Sequence, residues 1–183
     1  MALEIVKYPN RVLRRRAVPV REIDERIRQL ADNMVEALVF ARGYGLAAPQ
    51  VATCVRLIIV DVDNDLHILV NPEIVEASEE RFLGPEGCLS IPGVEADVER
   101  ALRVTVRALD LSGHEVRIEG EELLARVLQH EIDHLNGVLF IDYLSHAKRQ
   151  SLLKEYQRKL KEEKEEKEEP IKPRPRERVP AVL

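Results

Sequence analysis

The stretch from residue 120 to 136, GEELLARVLQHEIDHLN, constrains this chain more than any other. Leu124, Val127, Leu128 and Leu135 recur at helical spacing and predict one buried face, with Gly137 standing where a helix-ending glycine belongs. Yet the same helix carries His130, Glu131, Asp133 and His134. A core helix cannot hold such groups unless something satisfies them. Histidines at i and i+4 project from one face and can share a metal ion, and Glu131 beside the first can accept a proton from a metal-bound water. The plainer alternative, a chance pattern on a solvated face, is disfavoured by the leucines on either side of it. Asp133 reads either as a group that orients a ligand or as an exposed helix residue.

Around this segment the periodicity predicts a second helix from an Asp24 cap to Arg42, with Ile27, Leu30, Ala31, Met34 and Leu38 on its buried face and Gly43 and Gly45 ending it. The N-terminal stretch reads as irregular, with a short turn or helix after Pro9. Short runs of strand character follow at 55–60, 66–71 and 73–77, with Asp63-Asn64-Asp65 supplying hairpin chemistry between the first two. Residues 102–108 alternate cleanly, and 114–120 reads as a further strand. Helix, several short strands, helix: the order predicts an α+β domain of mostly antiparallel sheet. No internal repeat is visible.

A chain of 183 residues suits one domain. We divide it into a catalytic domain, 1–147, and a tail, 148–183. The tail is a charged helical stretch, expected to be exposed, followed by a Pro-rich basic end. Aromatic residues are scarce at 4% and Trp is absent, so an aliphatic core is expected. The net charge of −5 divides unevenly, −9 in residues 1–147 and +4 in 148–183. An acidic body argues against nucleic-acid binding as the main activity and against a DNA partner. No apolar run approaches the roughly 18 residues of a membrane span, and MALEIVKYPN has no secretory-signal pattern, so a cytoplasmic or organelle-matrix protein without a membrane partner is expected, the cytoplasm being our choice. Cys54 and Cys88 suggest no disulfide framework.

A hydrolytic metal site usually has three protein ligands and one open position. In one class of zinc proteases the third is a histidine six residues after the second; here Phe140 stands there and cannot bind. Glu155, His146, His114 and His67 are possible in principle, each more readily a surface residue. Cys88, in PEGCLSIPG, is the better candidate: a thiolate is a soft ligand, and the adjacent Gly87 permits close backbone approach. Cys54, beside a core strand, reads as a small buried hydrophobe. The loop GYGLAAPQ, 43–50, is tight and rich in small residues, and alone it would be a connector.

Taken together and in order, GYGLAAPQ, EGCLS and QHEIDH resemble the three signature motifs of the peptide deformylase family, G-x-G-L-A-A-x-Q, E-G-C-L-S and H-E-x-D-H. Every fixed position is matched, and the resemblance runs over roughly residues 3–145. Tyr44 stands where small aliphatic residues are commoner; the position is thought to act through its backbone.

The resemblance implies the family's fold, mostly antiparallel sheets packed around a central metal-binding helix. It also implies removal of the N-formyl group from N-formylmethionyl chains, with release of formate. Cys88, His130 and His134 would hold one divalent metal, typically Fe²⁺, with Zn²⁺, Ni²⁺ or Co²⁺ able to replace it. Glu131 would be the general base. The Leu89 backbone N–H and the Gln50 amide would stabilise the oxyanion. Substrate backbone would pair near Tyr44, Gly45 and Gly87, and Leu123 and Val127 would line the methionine pocket. The C-terminal tail would offer contact with the ribosome. The alternatives are a zinc endopeptidase and a non-catalytic metal-binding protein; EGCLS and the retained Glu131 and Gln50 speak against them.

Overall fold

The structure, a computed structural model, describes residues 3–168. After a 3-10 turn at Arg11–Arg14 come α1 (Glu25–Ala41), β1 (Gly45–Ala47) and a second 3-10 turn at Ala48–Val51. Strands β2 (Leu57–Val62), β3 (Asp65–Ala77), β4 (Arg81–Cys88), β5 (Ile91–Ala101), β6 (Arg103–Leu109) and β7 (Glu115–Glu121) lead into α2 (Glu122–Leu135). A 3-10 turn at Phe140–Tyr143 and α3 (His146–Glu168) follow. The α+β expectation holds: β1-β2-β3-β6-β7 form one antiparallel sheet, and β4 and β5 pair separately as a two-stranded ribbon.

Alternation on β2 explains why the sheet is covered on both sides. Ile58, Val60 and Val62 pack with Ala125, Leu128 and Leu135 of α2, while Leu57 and Ile59 pack with Ala31, Met34 and Leu38 of α1. Each fully buried leucine of this kind contributes about 1.5–3 kcal/mol. The metal-motif helix is thus the central element, with the sheet on one side and the ribbon on the other. A third apolar cluster joins the ribbon (Ile91, Val94, Val98) to Leu13, Phe140 and two residues of α3, Leu152 and Tyr156.

The ends of α1 refine the expected boundaries. Asp24 accepts from the Ile27 N–H at 3.1 Å, as a cap should, a contact whose loss costs about 1 kcal/mol. At the other end the left-handed residue is Arg42 (φ 55°), not Gly43. Gly43 is required for space: a Cβ there would sit 2.9 Å from Leu89 Cδ1 and 3.0 Å from Leu38 Cδ1. Gly137 does take the expected positive φ, 74°, after α2. Asp63 and Asn64 both have positive φ, the mark of a type I′ hairpin turn.

Four features depart from the expectations. Within the expected loop 43–50, Gly45–Ala47 form strand β1, paired with β2. The runs 66–71 and 73–77 are one strand, β3, whose register shifts where Asn71 and Pro72 interrupt the ladder. β4 and β5, unread as strands in the sequence, carry Cys88. The helical part of the tail is not fully exposed, since Leu152 and Tyr156 are 8% and 1% accessible. The Pro-rich basic end, 170–183, lies outside the described residues.

Candidate metal centre

On α2, His130 and His134 stand one turn apart, and the ribbon brings Cys88 against them. The three ligand atoms lie within 4.8 Å of one another, with Cys88 Sγ 3.3 Å from His134 Nε2. Cys88 occupies the end of β4, where the pairing with β5 shifts register between Gly87 and Cys88 before the Leu89–Ser90 turn. Among the described residues no other cluster of this kind occurs. The remaining candidates lie elsewhere: His67 beside Asp65, exposed His114 beside Asp110, His146 at the start of α3, and Glu155 paired to Lys159. Phe140, in the place of the excluded third histidine, stacks on the His130 ring at 6.4 Å.

Electrostatics prepare the set for a cation. Burial alone would push the Cys88 thiol up, but His134 and His130 facing it hold it well below the ordinary thiol range. His130 Nδ1 meets Glu86 Oε2 at 2.9 Å, which makes Nδ1 the donor and leaves the Nε2 lone pair for a metal. His134 Nδ1 is buried without a hydrogen-bond partner among the described residues. One thiolate and two imidazoles, enclosed and convergent, fit a divalent transition ion.

Behind the ligands lies a network that the sequence did not reveal. Glu86 is 5% exposed and receives Arg100 in two bonds, Nε at 2.7 Å and Nη2 at 2.9 Å, and Arg126 Nη1 at 3.0 Å. Its burial would raise the carboxyl, but Arg100 and His130 outweigh that and bring it to about 2. Arg100 also donates to Asp133 Oδ2 at 2.6 Å and lies 4.4 Å above the Tyr143 ring, whose hydroxyl donates to Asp133 at 2.8 Å. Asp133 therefore reaches His130 through Arg100 and Glu86. Arg126 further donates to the carbonyls of Phe82, Gly84 and Val98, stitching the ribbon to α2. One clue was available: Arg126 stands one turn before His130 on the helix face that carries both histidines, and an arginine enclosed there needs an anion.

Glu131 is 3% exposed, and its Oε2 has no hydrogen-bond partner among the described residues. Burial pushes its carboxyl up to about 7, with His130 and His134 partly opposing. It faces Gly45, where a Cβ would come within 2.5 Å of Glu131 Oε1. Gln50 Oε1 accepts the Ala47 N–H at 2.8 Å, so its amide nitrogen is turned inward, 3.6 Å from Cys88 Sγ and 3.3 Å from Ser90 Oγ. These groups border a cleft of about 610 Å³. Tyr44, Gly45, Gln50, Gly87, Cys88, Leu89, Leu123, Val127, His130 and Glu131 all line it, whereas His134 lies behind the wall. Cys54 is half-buried away from the centre, its sulfur 3.5 Å from the Arg16 carbonyl.

Comparison with known proteins follows the same lines. The polypeptide deformylase family model matches residues 2–150. A peptide deformylase of Thermodesulfovibrio yellowstonii is 48% identical over 162 residues, 86% of this chain and 98% of that protein. The crystal structure of a peptide deformylase from Legionella pneumophila superimposes with a TM-score of 0.86 at 41% identity, covering 93% of this chain and all of that one. A Met-Ala-Ser-bound peptide deformylase from Acinetobacter baumannii gives 0.76 at 38% identity, covering 79% and 99%.

Proposed function

The chain belongs to the peptide deformylase family, metal-dependent hydrolases that remove the N-formyl group from nascent polypeptides, and from that premise we propose how its own residues perform the reaction. The observation that carries the proposal is the buried Glu131 carboxyl, whose Oε2 has no hydrogen-bond partner among the described residues, beside the Cys88–His130–His134 cluster.

Cys88, His130 and His134 would hold a divalent ion, which would supply Lewis acidity toward the formyl oxygen and the attacking water. Glu131, its own affinity for a proton raised by burial, takes a proton from the attacking water. As the formyl carbonyl becomes tetrahedral, the Leu89 N–H and the Gln50 amide donate to its oxygen. The Ala47 N–H holds the Gln50 amide oxygen, which keeps its nitrogen turned into the site. Glu131 then returns the proton to the departing amine, leaving formate and a free N-terminus. The small residues of GYGLAA admit the peptide backbone beside Tyr44 and Gly45, and Gly87 borders it from β4. Leu123 and Val127 form the apolar wall for the methionine side chain. The Acinetobacter relative with Met-Ala-Ser bound supports a peptide of this kind in the cleft.

Fe²⁺ is our choice for the native metal, because thiolate with two imidazoles is its typical set in the family; Zn²⁺, Ni²⁺ and Co²⁺ suit the same donors. We place the enzyme in the cytoplasm, where nascent chains are made, and assign the 148–183 tail a contact with the ribosome. No described helix is long and apolar enough to cross a membrane.

Formate release from formyl-Met-Ala-Ser under anaerobic conditions tests the proposal. Rapid release is expected, with no cleavage between methionine and alanine. Internal cleavage would point to an endopeptidase, and metal binding without turnover to a non-catalytic protein.

A further inference from the structure

Residues 6–8 precede every motif, yet they touch both segments that supply oxyanion donors. The Val6 N–H donates to the Gln50 carbonyl at 2.7 Å, and the Tyr8 N–H donates to the Ser90 carbonyl at 2.8 Å. Between them Lys7 Nζ donates to the Leu89 carbonyl at 2.7 Å. Three consecutive residues thus hold the carbonyls of Gln50, Leu89 and Ser90. This strap is itself held from behind. Tyr156, 1% exposed in α3, donates its hydroxyl to the Tyr8 carbonyl at 3.0 Å.

The turn has reason to need such support. β4 ends at Cys88 and β5 begins at Ile91, so Leu89 and Ser90 lie outside the ladder, just past a register shift. Bonds from the strap backbone can form whatever side chains occupy positions 6 and 8. The Leu89 carbonyl, in contrast, is held by a side chain, and by a charge-assisted bond. Lys7 does not line the cleft, so it acts on the substrate only through Leu89.

We propose that Lys7 is a positioning residue for deformylation: by gripping the Leu89 carbonyl it keeps the Leu89 N–H aimed at the oxygen that becomes an oxyanion. The inference rests on the reading of Leu89 and Gln50 as donors. Such donors act only when placed within hydrogen-bond reach of the oxyanion. A misplacement of about 1 Å can cost about 10² in rate. Released from Lys7, the two-residue turn can rotate about the Leu89 Cα and carry the N–H off its aim, while the metal ligands and the apolar core stay in place.

The full-length, metal-loaded enzyme is compared as parent, Lys7→Met, Lys7→Arg and Gln50→Glu, with kcat, KM, metal content and thermal midpoint measured on the same preparations. Lys7→Met keeps the stem and removes the donors. It should lower kcat by about tenfold, part of the range for misplaced groups, with KM, metal content and midpoint unchanged. Lys7→Arg, which can still donate, should restore most of the rate. A purely structural role would move the midpoint or the metal content instead. Full kcat in Lys7→Met, or a loss confined to KM, overturns the inference. Gln50→Glu, which replaces a donor with an acceptor, should lose about 10²–10³ in kcat. If it does and Lys7→Met does not slow, only the role of Lys7 fails; if Gln50→Glu keeps full kcat, the reading of the donors fails and the inference falls with it.

Discussion

At Gly45 a Cβ would lie 2.5 Å from Glu131 Oε1 and 2.7 Å from its Cγ, closer than side chains sit in folded proteins. The glycine is there because the carboxylate needs the space. Gly45→Ala should therefore push Glu131 off its position and cut kcat by about 10², the cost of a displacement near 1 Å, while metal content stays at the parental level. Metal analysis and turnover on one sample check this; loss of metal together with rate would mean that the glycine serves the ligands instead. The two cysteines separate just as sharply. Cys88→Ala should lose most of the bound metal on dialysis, whereas Cys54→Ala, whose sulfur faces the Arg16 carbonyl away from the cluster, should keep metal and activity. Elemental analysis decides between them.

At the scale of elements, α2 was legible because its leucines keep helical spacing on either side of the metal motif. β2, β6 and β7 were legible because their apolar residues run or alternate as strands do. The ribbon was not. In β4, Gly84, Pro85 and Gly87 break the strand pattern, and Phe82 and Leu83 are exposed, so the burial order does not show in residue types. What makes this segment a strand is its long pairing with β5, the next strand in the chain, and the grip of Arg126 on its carbonyls, a contact remote in sequence. The same remoteness hid Glu86 and Arg100, which act on His130 from β4 and β5. Their coupling predicts a large effect: Glu86→Ala leaves Arg100 and Arg126, 4% and 5% exposed, without their shared carboxylate. Uncompensated buried charge should cost about 3–5 kcal/mol of stability. Loss of the bond to His130 should weaken metal binding by about 10- to 100-fold. Denaturant unfolding and metal competition measure the two; a variant near parental in both would mean that the network is idle.

Across the whole molecule, the motifs named the proposed ligands, while the arrangement that encloses them depends on contacts between distant segments. Gly45 from the first motif, Cys88 from the second and His130, Glu131 and His134 from the third meet only when the sheet and the ribbon close on α2. The tail contributes to this through Leu152 and Tyr156, so its helix is part of the folded body. No catalytic role is proposed for residues 170–183. Their removal should leave the rate on a short formyl-peptide unchanged and weaken co-sedimentation with ribosomes at low salt, with little difference at high salt. Equal sedimentation of both forms would remove the ribosome role from that end. In the proposed mechanism Glu131 moves the proton and does not hold the metal. Turnover of formyl-Met-Ala-Ser and metal content, measured on one anaerobic preparation of Glu131→Gln, test both halves of that assignment. The expected result is a full complement of metal with formate release lower by at least about 10² to 10⁴; near-parental turnover, or a rate loss that merely follows metal loss, would contradict it.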